Sequence, residues 1–287
     1  MKVRAAILGS GNIGTDLMIK VMRSDLLECT AFIGRNLSSP GLAKGRSLGI
    51  NISADGINYI KRNPENIELV FDATSAMAHQ EHAPILEKLG MHVIDLTPAN
   101  IGAFCVPAVN IGDCLSEKNI NMVTCGGQAS IPIVFALGQC HDDIEYIEVI
   151  SSIASRSAGP ATRHNLDEYI HITEEAIRRF SGCHSSKAIL NLNPAIPCIN
   201  MQTTVFAKVN NPDLPEYVSN LKKIVAIVKS YVPGYEIIVE PKIDNDRIVT
   251  MIRVTGLGDY LPAFAGNLDI INCAAIAAAE KYAVSVN

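Results

Sequence analysis

VRAAILGSGNIGTDLMIK, residues 3–20, is the stretch whose reading decides the fold. A short apolar run, VRAAIL, leads into Gly9, Gly11 and Gly14, and TDLMIKVMRS then follows with helical spacing of its apolar residues. A glycine triplet of the form G-x-G-x-x-G also occurs in ordinary turns. Between a predicted strand and a predicted helix each glycine has a physical reason to be there. The three allow a tight turn, close approach of backbone to a pyrophosphate, and close helix–strand packing. The start of the helix then offers unpaired N–H groups and the positive end of its dipole to phosphate oxygens. The stretch reads as a dinucleotide site.

Outward from it, strands and helices alternate. ECTAFIG (28–34), IELVFDAT (67–74), MHVIDLT (91–97) and INMVTC (120–125) read as strands, and AHQEHAPILEKLG as a helix between two of them. Continuous apolar strands joined by helices predict a doubly wound α/β domain, a parallel sheet covered on both faces. After residue 140 the pattern changes. IEYIEVISSIAS (144–155) alternates in part, helices are predicted near 166–180 and 215–230, and SKAILNLNP, MQTTVFAKVN, YEIIVEPKI and RIVTMIRVTGL read as further strands. That order predicts an α+β domain with an antiparallel or mixed sheet. The alanine-rich LDIINCAAIAAAEKYA (268–283) reads as a closing helix. The expected division is a dinucleotide-binding domain of residues 1–125 and 265–287, and a catalytic and dimerisation domain of residues 126–264.

The chain has 287 residues, 48% hydrophobic, enough for two sizeable cores. Its net charge is −5 and it has no basic run, which argues against nucleic acid as a partner. No apolar run approaches the roughly 20 residues that span a bilayer, and the N-terminus goes straight into the glycine loop, so the expected location is the cytosol. None of the eight cysteines forms a CxxC pair, and no structural zinc is expected. His79 and His82, three apart, read as two partly exposed helix histidines, because no third ligand stands near them in sequence.

Cys125 lies in VTCGGQAS, residues 123–130. It ends a predicted strand, with a helix expected to follow, capped by Ser130 and with Pro132 in its first turn. A thiol beside a helix start is expected to have a lowered pKa. The two glycines admit a substrate, and Gln128 or the following N–H groups offer an oxyanion cradle. On these residues alone, a packed inert cysteine and a nucleophile both remain open.

Taken together, GSGNIGTDLMIK, VFDATSA, DLTPA, INMVTCGGQAS, SAGPATRHNLDEY, YVPGY and LPAFAGNLDI resemble the acylating acetaldehyde dehydrogenases, in the same order from residue 6 to almost residue 280. The resemblance implies a two-domain fold like that of glyceraldehyde-phosphate dehydrogenase. It also implies oxidation of a short aldehyde to its acyl-coenzyme A with NAD, through a cysteine thioester. Coenzyme A is then the co-substrate, the chain forms a homo-oligomer, and a 4-hydroxy-2-oxovalerate aldolase is the partner that hands over the aldehyde. By the same resemblance Cys125 is the thioester-forming nucleophile. Gly9, Ser10, Gly11, Asn12, Ile13, Gly14 and Thr15 hold the pyrophosphate. Ser157, Ala158, Gly159, Pro160, Ala161, Thr162, Arg163, His164 and Asn165 add cofactor contacts, and Asn267 lies near the nicotinamide.

Three features depart from the family pattern. Arg35, Asn36 and Leu37 stand where the family has Ile-Asp-Pro. No carboxylate faces the ribose there, and Arg35, Ser38 and Ser39 suit a 2′-phosphate, so NADP is expected to be tolerated and the choice between NAD and NADP stays open. Thr203 in MQTTVF replaces the acidic residue of the family's MRDTVY, its proposed general base; a water relay, His164 or the cofactor-side environment is left to move the proton, or the substrate differs. The segment between YVPGY and LPAFAGN is shorter than in the family, which alters the expected aldolase-docking surface. Competing readings are a reductase of an acyl phosphate or of a bulkier or aromatic acyl group, and a dinucleotide-binding subunit without catalysis.

Overall fold

The computed structural model describes residues 1–287, apart from the side chains of Pro160 and Ala161. The chain divides into two compact units. The first comprises Met1–Met122, Asp259–Leu261 and Ile271–Asn287, and the second Val123–Gly258 and Pro262–Ile270.

In the first unit the chain runs β1 (Val3–Leu8), α1 (Asn12–Arg23), β2 (Leu27–Ile33), α2 (Pro40–Ser47), β3 (Ile52–Ser53), α3 (Ile57–Arg62), β4 (Leu69–Asp72), α4 (Ala76–Lys88), β5 (His92–Asp95), β6 (Ala103–Phe104), α5 (Pro107–Cys114) and β7 (Asn119–Asn121). The strands form one sheet in the order β3-β2-β1-β4-β5-β7-β6, and every pairing is parallel. Strand order reverses between β1 and β4, the position at which doubly wound sheets bind ligands beyond their strand ends. Ala5, Ala6, Ile7 and Leu8 are all buried, as a central parallel strand covered on both faces requires. Ala6, Leu8, Ala31, Ile33, Val70 and Val93 pack with Ile60 and Leu86 into one core.

In the second unit the order is α6 (Cys125–Gly138), β8 (Ile144–Ala154), α7 (Pro160–His164), α8 (Leu166–Ser181), β9 (Ser185–Asn193), β10 (Met201–Val209), α9 (Leu214–Tyr231), β11 (Tyr235–Asp244) and β12 (Arg247–Val254). The sheet order is β11-β12-β10-β8-β9. It is mixed, because β8 and β9 run parallel while the other pairs are antiparallel. Along β10 the buried residues alternate, Met201, Thr203, Val205, Ala207 and Val209, so one face is dry. Nearly every residue of α6 is buried, the mark of a helix enclosed on all sides. On α8 the buried stripe is Tyr169, Ile172, Thr173, Ala176 and Ile177, and the helix ends at Gly182 with φ 72°, a left-handed cap that glycine adopts without strain. The last helix, α10 (Gly266–Val286), supplies residues to both units.

The expected Rossmann-type sheet and α+β second domain are both found. One boundary differs in a way that matters. The strand expected over 120–125 ends at Asn121 in β7, because Val123 has φ 59° and Thr124 already caps α6. A strand cannot continue through a left-handed residue.

Candidate active site

In the first unit the glycine loop joins β1 to α1. Gly9 has φ 108°, and a Cβ built there would lie 2.3 Å from the carbonyl oxygen of Ala73. At Gly14 a Cβ would lie 1.8 Å from the carbonyl oxygen of Gly9, so only glycine lets α1 start this close to the strand end. A Cβ on Gly11 would meet nothing within 4 Å, which leaves this backbone open to an approaching group. Gly11 is also the N-cap of α1, and no side chain caps that helix. Asn12 is exposed and Ile13 half-buried. The Ser10 hydroxyl lies 3.1 Å from that of Ser39, and the buried Thr15 hydroxyl donates to the Gly11 carbonyl at 2.8 Å. Arg35, just beyond β2, is exposed and lines a cavity of about 740 Å³ with Asp55, Lys61, Arg62 and His82. Asp55 pairs with Arg62, so positive charge predominates in that lining.

Cys125 is the first residue of α6. Thr124 is the N-cap, and its Oγ1 accepts the Gly127 N–H at 2.8 Å. Val123 holds a left-handed conformation that is unusual for a β-branched residue. Gly127 makes room for it: a Cβ there would lie 2.6 Å from Val123 Cγ1. The expected cap at Ser130 and the expected first-turn Pro132 are therefore corrected, since both lie well inside α6. Ser130 Oγ donates instead to the Gly126 carbonyl at 2.8 Å. The Gln128 N–H is spent on the Thr124 carbonyl at 2.8 Å, which leaves the N–H groups of Cys125 and Gly126 directed at the sulfur.

A second correction concerns the thiol itself. Its pKa is raised, to about 11, where a lowered value was expected. Burial is the largest cause; the hydroxyl of Tyr169 and the N–H groups of Gly126 and Cys125 pull the other way without overcoming it. The Sγ–Oη separation to Tyr169 is 3.8 Å. Ser151 on β8 is the next hydroxyl, 3.2 Å from where a Cβ on Gly126 would stand. Thr203 on β10, wholly buried, lies 3.0 Å from Ser151 Oγ. Sequence reasoning missed Tyr169 and Ser151, because nothing in spacing brings α8 and β8 to Cys125. The Thr124 cap was legible in T-C-G-G as a hydroxyl three residues before a backbone donor.

Ser157 is buried and donates to the Ala154 carbonyl at 2.8 Å. Arg163 reaches back to the Ala158 carbonyl at 3.1 Å and to Ser155 Oγ at 2.9 Å, which ties the 157–165 stretch into a compact turn before α8. Ala158 is buried, Thr162 and Asn165 are half-buried, and His164 is exposed. A Cβ on Gly159 would meet nothing within 4 Å. The side chains of Pro160 and Ala161 lie outside the described residues. Asn267 is 1% exposed, yet neither its Oδ1 nor its Nδ2 has a hydrogen-bond partner among the described residues. A buried amide in that state is costly unless a further group completes it.

Of the two histidines expected to be partly exposed, His82 is so and His79 is not. His79 is fully buried, and both rings turn Nδ1 to one carboxylate oxygen of Asp72, at 2.9 and 2.8 Å. Burial works against the Asp72 charge, but the two imidazoles prevail and hold its pKa at about 2. His79 Nε2 lies 3.5 Å from Asp95, whose pKa burial pushes up to about 7.

The chain is similar to known proteins over nearly its whole length. It is 60% identical over 281 residues to an acetaldehyde dehydrogenase of Spirochaeta aurantia, covering 98% of this chain and 95% of the relative. The chain belongs to the acetaldehyde dehydrogenase family. An acetaldehyde dehydrogenase of Pectobacterium atrosepticum is 56% identical, covering 97% and 95% of the two chains. One of Carboxydothermus hydrogenoformans is 49% identical, covering 98% and 94%. Residues 125–262 match the model described as the dimerisation domain of prokaryotic acetaldehyde dehydrogenase. Among solved structures, aspartate semialdehyde dehydrogenase II of Vibrio cholerae superposes with TM-score 0.68 at 13% identity, covering 99% of each chain. The Candida albicans enzyme gives 0.65 at 11%, covering 97% of this chain and 99% of that one. These structures share the fold, a parallel Rossmann-like sheet with a mixed second sheet. Membership makes the protein an enzyme, an aldehyde dehydrogenase. Among the described residues no helix is long and apolar enough to cross a membrane.

Proposed function

We propose that the protein interconverts acetaldehyde and acetyl-coenzyme A with a nicotinamide dinucleotide, through a thioester on Cys125. The observation that carries this reading is a cysteine at the first residue of a capped helix, with two backbone N–H groups directed at its sulfur, in a chain of this family. The open backbone at Gly11 and the uncapped start of α1 fit the phosphates of a dinucleotide, and the uncompleted buried amide of Asn267 by itself fits a polar ligand group. Gly9 to Thr15 hold its pyrophosphate, and Asn267 offers Oδ1 and Nδ2 to the carboxamide. When bound, the dinucleotide accepts or supplies the hydride.

On this reading the Cys125 thiolate adds to the aldehyde carbonyl, and a carbon–sulfur bond forms. The N–H groups of Cys125 and Gly126 steady the negative charge as it passes from sulfur to oxygen. Once the carbon is at the acyl level, the thiol of coenzyme A displaces Cys125 and restores the thiolate. Steady-state turnover of acetaldehyde that requires coenzyme A, with acetyl-coenzyme A as the product, tests the reading; dependence on phosphate instead would select the acyl-phosphate reaction. The match to a dimerisation domain supports a homo-oligomer, read by light scattering of the purified enzyme.

NADP(H) is accepted alongside NAD(H) in this proposal. Arg35 and Lys61 line one cavity, and a ribose 2′-phosphate there gains charge-assisted bonds. Arg35→Ala is expected to weaken NADP(H) about tenfold and NAD(H) far less, as one bond to a charged group is worth roughly 1.5–3 kcal/mol. Equal losses in titration calorimetry would remove Arg35 from phosphate recognition.

Thr203 gives a further test. It is buried and joined to Ser151, so an aspartate there would sit in a dry place with a pKa pushed toward neutrality, as suits a general base. Thr203→Asp is expected to raise the rate of acetaldehyde oxidation and move its pH optimum down. A loss of rate at every pH, with cofactor affinity kept, would show a site rebuilt around a neutral residue.

A further inference from the structure

The geometry points to Tyr169 as a catalytic residue that donates its phenol O–H to the Cys125 thiolate. This inference rests on the reading of Cys125 as the nucleophile and extends it. Tyr169 Oη and Cys125 Sγ are 3.8 Å apart, within reach of a hydrogen bond to sulfur. The approach is built in. A Cβ on Gly126 would lie 2.0 Å from Tyr169 Oη and 3.1 Å from Cζ, so any other residue at 126 would push the phenol away. Gly126 thus serves Tyr169 as much as it serves a substrate.

Helix α8 is held in register for this contact. Thr173 stands one turn beyond Tyr169; its Oγ1 donates to the Tyr169 carbonyl at 2.6 Å and lies 2.8 Å from the Oγ1 of Thr124. The residue that caps α6 therefore also fixes the helix carrying the phenol. Thr124 and the Gly126 N–H also act on the phenol oxygen, lowering its pKa against the effect of burial. Burial, with the Cys125 sulfur next, holds the Tyr169 pKa well above its ordinary value. The phenol stays protonated over any working pH and serves as a donor, never as a base. The groups acting on the thiol are this phenol and the N–H groups of Gly126 and Cys125, all against burial. In a site whose Thr203 is neutral, a neutral donor beside the sulfur offsets part of the cost of burying a thiolate.

The test is the pH dependence of Cys125 alkylation by iodoacetamide. It is read by peptide mass after short jumps to pH values between about 7 and 11 and does not depend on turnover. In the unaltered enzyme the rate climbs with pH and starts to level as the thiol ionises near pH 11. Tyr169→Phe is expected to slow alkylation about tenfold at each pH and to remove the levelling, since one lost bond to a charged group moves a pKa by about one unit. Gly126→Ala, which keeps the phenol but displaces it, is expected to do the same, and it decides the matter if near-ultraviolet circular dichroism shows Tyr169→Phe unfolded. A defect of packing alone shifts the whole curve and leaves the levelling in place. That result, or curves that superpose, overturns the role of Tyr169 while the nucleophile stands. If Cys125 of the unaltered enzyme resists alkylation at every pH while turnover persists, the nucleophile reading and this one fall together.

Discussion

Cys125→Ala is expected to lower kcat for acetaldehyde oxidation by a factor on the order of 10⁴ or more, the scale of loss when a covalent nucleophile is removed. Dinucleotide affinity should stay within about twofold. In the proposed function the pyrophosphate rests on backbone around Gly11, and the change removes one sulfur atom from a different set of atoms. Alanine is a good helix former, so the start of α6 keeps its Thr124 cap. Stopped-flow measurement of reduced cofactor at substrate saturation gives kcat, and calorimetry gives the affinity. Retention of more than about a hundredth of the activity would rule out the thioester route.

Lys20→Met is expected to destabilise the first unit by about 3–5 kcal/mol, the usual cost of breaking a buried ion pair from one side. Lys20 Nζ lies 2.7 Å from Asp16 and 3.1 Å from Asp259, and all three side chains are buried. Asp16 also accepts from Asn272 Nδ2 at 2.9 Å, so the loss would reach α10. Arg4 and Glu68, 3.1 Å apart, have side chains 41% and 45% exposed, and Arg4→Met should cost no more than about 1 kcal/mol. Urea titrations of both variants make the comparison, and a Lys20→Met loss no larger than that of Arg4→Met would defeat the argument. The pH dependence has a definite sign. Burial raises the Asp259 pKa, but the bonds from Arg23 and Lys20 outweigh it and leave the value below the ordinary one. Stability from this carboxylate is therefore complete above its unfolded pKa of about 3.9 and is lost as pH falls through the lower folded value.

The parallel sheet was legible in the sequence because its signals are local. VRAAIL and the glycine triplet have their meaning within about twenty residues, and β1, Gly9 and Gly14 stand where that reading put them. Cys125 was legible as a residue, but its surroundings were not. Its place at the first position of α6 depends on the left-handed φ of Val123, which no propensity foretells for valine. Its raised pKa depends on burial by elements distant in sequence. The expectation of a lowered value counted the helix dipole and omitted desolvation, which is the larger effect. His79 departed from expectation for the same reason: Asp72 lies seven residues before it, and only the fold turns both histidine rings toward that carboxylate.

Val123 carries a consequence for how this turn tolerates change. A left-handed conformation costs an L-residue roughly 1–2 kcal/mol, and glycine escapes it. One base substitution turns any valine codon into a glycine codon, so the relaxed alternative is always a single step away. At 123 the valine Cγ1 is seated over Gly127, where a Cβ would lie 2.6 Å from it. Positions 123 and 127 are then mutually constrained: enlarging 127 evicts the valine, and shrinking 123 leaves a hollow over the first turn of α6. Directed libraries across VTCGG should recover changes at the two positions as pairs more often than singly.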